Sequence, residues 1–224
     1  MRAMILAAGR GERLRPLTDT TPKPLIKLGE WRLIEWQILA LKRAGIDSIV
    51  INVAWLGDQI LQTLGSGERY GVDLIYSHEG DTVLGTAGGI IRALPLLGDA
   101  PFIVCNADVW TDFDYTELPL RENSGACLVL VENPEHHPQG DFSLQGSRLV
   151  RPTEKTYTFS GIGIYTPQFF ANVKSGVQSL APLLFDAIDR NNISATKHSG
   201  IWCDVGTPER LESARHDMLR RFDY

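Results

Sequence analysis

Four short apolar runs alternate with helix-like segments through the first half of the chain. Consecutive apolar residues over about four to eight positions are typical of strands that are buried on both faces of a sheet. This alternation predicts an α/β fold in which helices flank a Rossmann-like, mostly parallel sheet with right-handed crossovers. The predicted strands are 3–8, 48–53, 73–76 and 101–105, and the predicted helices are 33–45, 56–64 and 86–97.

The pattern changes after residue 124, where strand-like segments follow one another without helices between them. The predicted strands are 126–132 and 157–165, with a hairpin over 143–150, and helices are expected at 180–190 and 208–221. Such strands predict antiparallel additions to the sheet in the C-terminal half. No repeat, low-complexity tract or linker is present, so we expect a single domain over 1–224, with halves of about 1–124 and 125–224.

The composition and charge argue against several functional classes. A net charge of −5 disfavours a nucleic-acid partner, which would require a basic face. No apolar stretch approaches the roughly 20 residues that span a bilayer, and no signal-peptide pattern is present, so we expect a cytoplasmic protein without a membrane partner. Cys105, Cys127 and Cys203 lie far apart without metal-ligand spacing, which predicts buried, reduced thiols.

A long basic loop follows the first predicted strand, over residues 9–25. Its glycines allow backbone N–H groups to approach a phosphate closely, and its arginines supply positive charge. Lys23 lies between two prolines that restrict the backbone, which favours a fixed contact to an anion over a solvated basic loop. The dinucleotide-binding fingerprint fails because Leu14 occupies the third glycine position, and the Walker sequence Gly-Lys-Ser/Thr is absent.

Two aspartates follow predicted strands, Asp108 after 101–105 and Asp204 after an aromatic-rich segment. Ligands of parallel sheets bind beyond the carboxyl ends of the strands, which places the opening loop and residues 106–108 at one edge. Taken alone, each aspartate also fits a turn or a helix cap. As a pair they suit Mg²⁺, which often takes one or two carboxylates beside phosphate oxygens and water.

The chain carries a set of motifs that occur in the same order in one enzyme family. The opening loop reads LAAGRGERLRPLT over 6–18 and is followed by TPKPL over 21–25. Further along are LGTAGG over 84–89, Asn-Ala-Asp over 106–108 and WCDVGTPERL over 202–211. Together these motifs resemble the signature of the sugar-1-phosphate nucleotidylyltransferases over nearly the whole chain. The resemblance implies the nucleotide-diphospho-sugar transferase fold and Mg²⁺-dependent transfer of a nucleotidyl group from an NTP to a sugar 1-phosphate, with release of pyrophosphate.

The resemblance also implies roles for individual residues, with the nucleotide bound by about 1–124 and the sugar by about 125–224. The implied catalytic residues are Arg13, Lys23 and Asp108, and the implied Mg²⁺ ligands are Asp108 and Asp204. The implied nucleotide-binding residues are Leu6, Ala7, Ala8, Gly9, Gly11, Glu12, Arg13, Lys23, Gly85, Thr86 and Asn106. The implied sugar-phosphate-binding residues are Asn106, Asp141, Glu154 and Lys155.

Within this family the chain most resembles the short uridylyltransferases that act on N-acetylmuramate 1-phosphate in bacterial cell-wall recycling. The segments that carry this likeness are 54–57, 109–112 and 201–207, and UTP would then be the nucleotide. The segment 84–88 also matches mannose-1-phosphate guanylyltransferases. A guanylyltransferase acting on mannose or heptose 1-phosphate is therefore an alternative.

Other readings of the same residues stay open or are disfavoured. A non-catalytic nucleotide-sugar sensor would have lost catalytic or metal-binding residues. The chain retains all four of them, namely Arg13, Lys23, Asp108 and Asp204. Thr86 also fits a helix N-cap, and Lys155 also fits a surface position. We interpret His136 and His137 as exposed turn residues without an assigned role. The sequence is compatible with a monomer and does not determine the oligomeric state.

Overall fold

The computed structural model describes residues 1–80, 82–119 and 124–221. The strands are β1 (Arg2–Leu6), β2 (Lys27–Leu28), β3 (Trp31–Arg32), β4 (Ser48–Val53), β5 (Asp73–His78), β6 (Phe102–Asn106), β7 (Val109–Thr111), β8 (Ala126–Val131), β9 (Ser143–Gln145), β10 (Arg148–Val150), β11 (Thr158–Tyr165), β12 (Ile193–Lys197) and β13 (Trp202–Asp204). The α-helices are α1 (Leu17–Thr20), α2 (Leu33–Arg43), α3 (Gly57–Leu64), α4 (Gly85–Leu97), α5 (Ala181–Asp189) and α6 (Pro208–Arg221). Within the described ranges, no helix combines the length and the apolarity that crossing a membrane requires.

One nine-stranded sheet contains strands of both halves, in the order β5-β4-β1-β6-β11-β8-β12-β10-β9. Its first four strands are parallel, with β1 between β4 and β6. β11 pairs antiparallel with β6 and β8, and β9 and β10 form an antiparallel hairpin at the far edge. The predicted α/β fold, a parallel sheet with antiparallel additions, is confirmed. β12, which the sequence analysis missed, pairs parallel with β8.

The apolar sequence of β1 follows from its burial on both faces of the sheet. Ala3 and Ile5 lie in a core cluster with residues of α2 and α3, whereas Met4 lies in a second cluster with residues of α4 and α5. All three side chains are fully buried, because successive side chains of a strand point to opposite faces. The two helical layers therefore hold β1 at the centre of the molecule and fix where its carboxyl end emerges.

The first strand ends at Leu6, two residues earlier than predicted. The backbone N–H of Ala7 leaves the strand ladder and donates to Asn52 Oδ1 at 2.8 Å. The following residues consequently form an open loop beyond the carboxyl ends of the parallel strands.

Two small sheets, β2–β3 and β7–β13, lie outside the large one. In β7–β13, Asp204 pairs with Val109, which brings the C-terminal motif beside the segment that follows β6. A third core cluster joins Leu14 of the opening loop, Trp110 of β7 and Leu211 of α6. Three segments that are far apart in the sequence therefore meet at the carboxyl edge of the large sheet.

Candidate active site

An open cavity of about 860 Å³ lies at the carboxyl ends of β1, β4, β5 and β6. All the predicted nucleotide-binding residues line it, and so does Asp108. Four predicted site residues are not among the described residues that line it, namely Asp141, Glu154, Lys155 and Asp204. The lining also includes residues that the sequence analysis did not single out, among them Arg10, Asn52, Glu79, Thr82, Val83 and Gly206.

The opening loop is held in shape by a glycine and by a buried leucine. Gly11 has φ +65°, a left-handed backbone conformation that other residues adopt only at a cost of about 1–2 kcal/mol. Its carbonyl accepts a hydrogen bond from Thr18 Oγ1 at 2.9 Å. Leu14 is 1% exposed and anchors the 3₁₀ turn Glu12–Leu14 to the core. The neighbouring side chains of Glu12 and Arg13 remain exposed at the mouth of the cavity.

Lys23 and Asp108 form an ion pair at the cavity wall. Their side chains are 13% and 24% exposed, respectively, so both are partly shielded from water. Lys23 opens the 3₁₀ turn Lys23–Leu25, and buried prolines precede and follow it. The predicted fixed position of this lysine is thus matched by a short backbone turn. The ammonium group lies where it can reach a bound anion without a large movement of the chain.

Asp204 lies on the strand that pairs beside Asp108. The backbone N–H of Val205 donates to the carbonyl of Asp108 at 2.9 Å, which joins the two acidic segments. The guanidinium Nη1 of Arg210 donates to both carboxylate oxygens of Asp204, at 2.8 and 2.7 Å. Asp204 also lies 3.1 Å from His136 Nε2. The sequence analysis assigned no role to His136, and only the tertiary structure brings this histidine to the aspartate.

Because Gly206 has no side chain, there is room beside it for the guanidinium groups of Arg210 and Arg13. A Cβ at this position would meet Nη2 of Arg210 directly and would lie 3.2 Å from Nη2 of Arg13. Gly206 itself lines the cavity. Lys23 pairs with Asp108 and Arg210 pairs with Asp204, and Arg13 lies close to Gly206 on the cavity wall.

The donor set at Asp108 and Asp204 fits a Mg²⁺ ion. Carboxylate oxygens are the hard ligands that this ion prefers, and it usually completes its shell with substrate phosphates and water. No described group of three or more His, Cys, Asp or Glu side chains is arranged to hold a metal ion. A site built on these two aspartates would depend on oxygen atoms of the substrates for its remaining ligands.

A buried polar network forms the wall of the cavity opposite the acidic pair. Asn52 Nδ2 donates to Glu79 Oε1 at 2.6 Å, and the backbone N–H of Leu84 donates to Glu79 Oε2 at 2.7 Å. Leu84 is the N-cap of α4, and the helix begins at Gly85, so the N-cap role considered for Thr86 belongs to Leu84. The only sequence signal for Asn52 and Glu79 was a polar residue at the end of an apolar strand.

The residues predicted to bind the sugar phosphate lie on separate segments, from the end of β6 to the segment between β10 and β11. Asn106 ends β6 and lines the cavity. Asp141 accepts a hydrogen bond from the backbone N–H of Phe159 at 2.8 Å and lies 3.1 Å from His137 Nε2. The Lys155 ammonium lies 5.5 Å from the ring centroid of Tyr157. Glu154 is exposed.

The thiol of Cys105 lies beneath the site, one residue before Asn106. Burial raises the pKa of this thiol from 9.0 to about 12, so the group is protonated at neutral pH. Cys105 and Cys127 are buried and Cys203 is partly buried. The expectation of buried, reduced thiols is met at Cys105 and Cys127.

The chain matches a family model described as "Nucleotidyl transferase" over residues 2–221. It is 53% identical to the N-acetylmuramate alpha-1-phosphate uridylyltransferase of Neisseria meningitidis serogroup B, over 96% of this chain and 97% of that protein. A protein of the same name from Caulobacter vibrioides is 31% identical, with 92% of each chain covered. The mannose-1-phosphate guanyltransferase beta-B of Xenopus laevis is 30% identical over 99% of this chain and 68% of that protein.

Two solved structures share the fold. The inositol-1-phosphate CTP transferase from T. maritima superposes with a TM-score of 0.79 at 19% identity, over 97% of this chain and 96% of that chain. A Bacillus anthracis protein assigned as a glucose-1-phosphate thymidylyltransferase superposes with a TM-score of 0.84 at 23% identity, over 96% and 94% of the two chains. At these identities the likeness concerns the architecture alone.

Proposed function

Because the chain belongs to the nucleotidyl transferase family and is a sugar-1-phosphate nucleotidyltransferase, we propose that it transfers the uridylyl group of UTP to N-acetylmuramate α-1-phosphate. The observation that carries this proposal is the 53% identity, over nearly the full length of both chains, to a uridylyltransferase of that specificity. The reaction would serve bacterial cell-wall recycling in the cytoplasm, with residues 1–224 acting as one domain.

The arrangement of charges suits the meeting of two polyanions. At about 4 Å, two like unit charges repel by roughly 4 kcal/mol at an effective dielectric constant of 20. Lys23 and Arg13 line the cavity, and Arg210 lies against Gly206. Their charges, together with the backbone N–H groups of the glycine-rich loop, would offset this repulsion when the triphosphate and the sugar phosphate are both bound.

The chemical step would be an in-line displacement at the α-phosphorus of the nucleotide. A phosphate oxygen of the sugar 1-phosphate forms the new P–O bond. The bond between the α-phosphorus and the bridging oxygen of the β-phosphate breaks, and its electron pair leaves with pyrophosphate. The attacking phosphate oxygen is already deprotonated, so the protein needs no general base and contributes positioning and charge stabilisation.

Asp108 and Asp204 would hold a Mg²⁺ ion in this reaction. When bound, the ion would neutralise negative charge on the phosphates. The two aspartates are already balanced by cations, Asp108 by Lys23 and Asp204 by Arg210. Lys23 and Arg210 would then be available to contact substrate oxygens in place of the carboxylates.

The sugar would bind on the side of the antiparallel strands. Asn106, at the end of β6, is the predicted sugar contact that lines the cavity. Asp141, Glu154 and Lys155 are proposed to complete this half of the site. One carboxylate oxygen of Asp141 already accepts a bond from Phe159, so a sugar hydroxyl would use its remaining lone pairs.

A guanylyltransferase acting on mannose 1-phosphate is the second candidate. Two observations favour it, the LGTAG segment at the start of α4 and the 30% identity to a mannose-1-phosphate guanyltransferase. The higher identity to the uridylyltransferase places it second.

Pyrophosphate release from a matrix of substrates tests both candidates. The purified protein would be incubated with Mg²⁺, each of the four NTPs and a panel of sugar 1-phosphates that includes N-acetylmuramate, mannose and heptose. We expect the highest kcat/KM with UTP and N-acetylmuramate α-1-phosphate. A higher value with GTP and mannose 1-phosphate would refute the uridylyl assignment, and the absence of turnover with every pair would refute both. An Asp108→Asn variant purified in parallel controls for contaminating enzymes.

A further inference from the structure

We propose that Asn52 and Glu79 are positioning residues that hold the opening loop and the start of α4 at a fixed separation across the nucleotide site. They would do so through a hydrogen-bond chain that one amide paired with one ionised carboxylate satisfies. The inference rests on the proposed nucleotide-binding role of the cavity and adds the device that keeps its two walls in register.

The chain of hydrogen bonds connects four segments of the fold. The backbone N–H of Ala7, just after β1, donates to Asn52 Oδ1 at 2.8 Å. Asn52, in β4, donates from Nδ2 to Glu79 Oε1 at 2.6 Å. Glu79, just after β5, accepts at Oε2 from the backbone N–H of Leu84 at 2.7 Å. The two ends of this chain are therefore Ala7, which directly follows β1 and leads into the opening loop, and Leu84, the N-cap of α4.

Both side chains are buried, at 3% exposure for Asn52 and 6% for Glu79. Helix α4 packs directly on them, because a Cβ on Gly89 would lie 2.5 Å from Glu79 Oε1 and 2.9 Å from Asn52 Nδ2. Little space is left for either side chain to rearrange. A buried donor or acceptor without its partner costs about 1–3 kcal/mol. A mismatch between the side chains at positions 52 and 79 would therefore favour separation of the opening loop from the start of α4.

The direction of each hydrogen bond determines which residue types fit. The chain has a backbone donor at both ends, so the two side chains together must offer three acceptors and one donor. One amide and one carboxylate supply this set. With Glu79→Gln, the NH₂ group of the new amide would face a donor, either Asn52 Nδ2 or the backbone N–H of Leu84. A second carboxylate at position 52 would face the oxygens of Glu79.

This rule allows a charge-neutral exchange experiment. Asn52→Asp and Glu79→Gln each leave one mismatched contact. In the double variant the new carboxylate at position 52 accepts from Ala7 and from the new amide at position 79, whose oxygen accepts from Leu84. All the hydrogen bonds are then restored with the middle one reversed.

We expect each single variant to bind UTP at least tenfold more weakly by calorimetry, at a fixed Mg²⁺ concentration. The double variant should return to within threefold of wild type. The KM for the sugar 1-phosphate should change less than threefold throughout, a selectivity that a general loss of stability would not produce. Hydrogen exchange of the Ala7 and Leu84 amides should accelerate in the single variants and slow again in the double variant. Gln62→Glu, which adds the same charge as Asn52→Asp at an exposed position of α3, should leave UTP binding unchanged.

The exchange also separates positioning from direct contact with the nucleobase, since both side chains line the cavity. A double variant with normal amide protection but no recovery of UTP binding would overturn the positioning role and assign Glu79 to direct contact. Single variants that bind UTP normally would overturn the inference as well. If a single variant does not fold, Asn52→Ala, which keeps the bond from Leu84 to Glu79, should show the same tenfold loss, and normal binding would again be contradictory. A wild-type protein that binds none of the four NTPs would refute the proposed function itself.

Discussion

Replacing Lys23 with Met isolates the charge of the lysine from its packing. Lys23 pairs with Asp108 at the cavity wall, and the two side chains are 13% and 24% exposed. The stem of Lys23 packs beside Gly11, where an added Cβ would lie 3.0 Å from Lys23 Cβ and 3.5 Å from Lys23 Cδ. Methionine retains an unbranched stem, so the loop should keep its shape while the ammonium group is lost.

The expected losses of activity and stability in Lys23→Met follow from the partial burial of the pair. A hydrogen bond to a charged group contributes about 1.5–3 kcal/mol net, and each 1.4 kcal/mol corresponds to roughly a factor of ten in rate. We therefore expect kcat/KM for the nucleotide to fall by roughly 10- to 150-fold. Removing the ammonium leaves the partly buried Asp108 without its cation, which should cost more than the roughly 1 kcal/mol of an exposed pair and less than the about 3–5 kcal/mol of a fully buried pair. For a chain of this size, each kcal/mol lowers Tm by about 2–4 °C.

Initial rates of pyrophosphate release, with UTP varied at a saturating sugar phosphate concentration, measure this effect, and calorimetry gives Tm. Lys27→Met is the matched control, because Lys27 is exposed in β2 only four residues away. We expect Lys27→Met to behave like wild type. If Lys23→Met keeps kcat/KM within twofold of wild type, Lys23 makes no energetically important contact to the triphosphate. Equal losses in both variants would point to the general electrostatic field of the loop.

Asp108→Asn should lower kcat by at least about a thousandfold while the circular dichroism spectrum is retained, since the variant loses a Mg²⁺ ligand; EDTA should mimic the loss in wild type, and normal turnover of the variant would refute the metal assignment. Gly161→Ala should destabilise the protein more than Gly45→Ala in urea titrations, by about 1–3 kcal/mol. Both glycines have positive φ, but a Cβ at Gly161 would collide with the amide of Asn106, whereas Gly45 has open space; equal effects would contradict this. The pKa of Cys105 is raised to about 12 in the folded protein from a reference value of 9.0, so the unfolded chain loses this proton first. The free energy of unfolding should therefore decline as the pH rises from about 9 to 12, by at most about 1.4 kcal/mol per unit for this group, and Cys105→Ala should show a shallower decline.

The positions of the central strands along the chain were predictable because each of them is buried on both faces and therefore reads as a continuous apolar run. β4 was predicted to the residue, and β6 was displaced by one residue. β7 was not predicted because it has only three residues, too few for a periodic pattern. The aromatic-rich strand predicted before Asp204 is β13, which ends at Asp204 itself. β12 followed a predicted helix but carries alternating polar residues, which resemble those of a loop.

The candidate site was predictable where the chain itself forms it. Residues 6–25 combine glycines, prolines and basic side chains in one contiguous segment, and the structure places 6–13, Lys23 and Pro24 of it along the cavity. His136 could not be linked to Asp204 in this way, because the two residues are 68 positions apart in the sequence. Arg210 follows Asp204 by six residues in the same motif, but the sequence does not show that the two side chains form an ion pair. The meeting of these three residues depends on how α6 and the turn after β8 are packed.

The sequence alone determined where most strands of the large sheet lie, which loop is suited to phosphate, and which two acidic residues lie at strand ends. These properties depend on local chemistry, namely the apolar period, the glycine and proline positions and the charge of neighbouring residues. The tertiary structure decided which charges balance each other and how the cavity walls are held. Asn52 and Glu79 show the reason, because a hydrogen bond between strands depends on the register of the sheet, and no single segment of the chain carries that information.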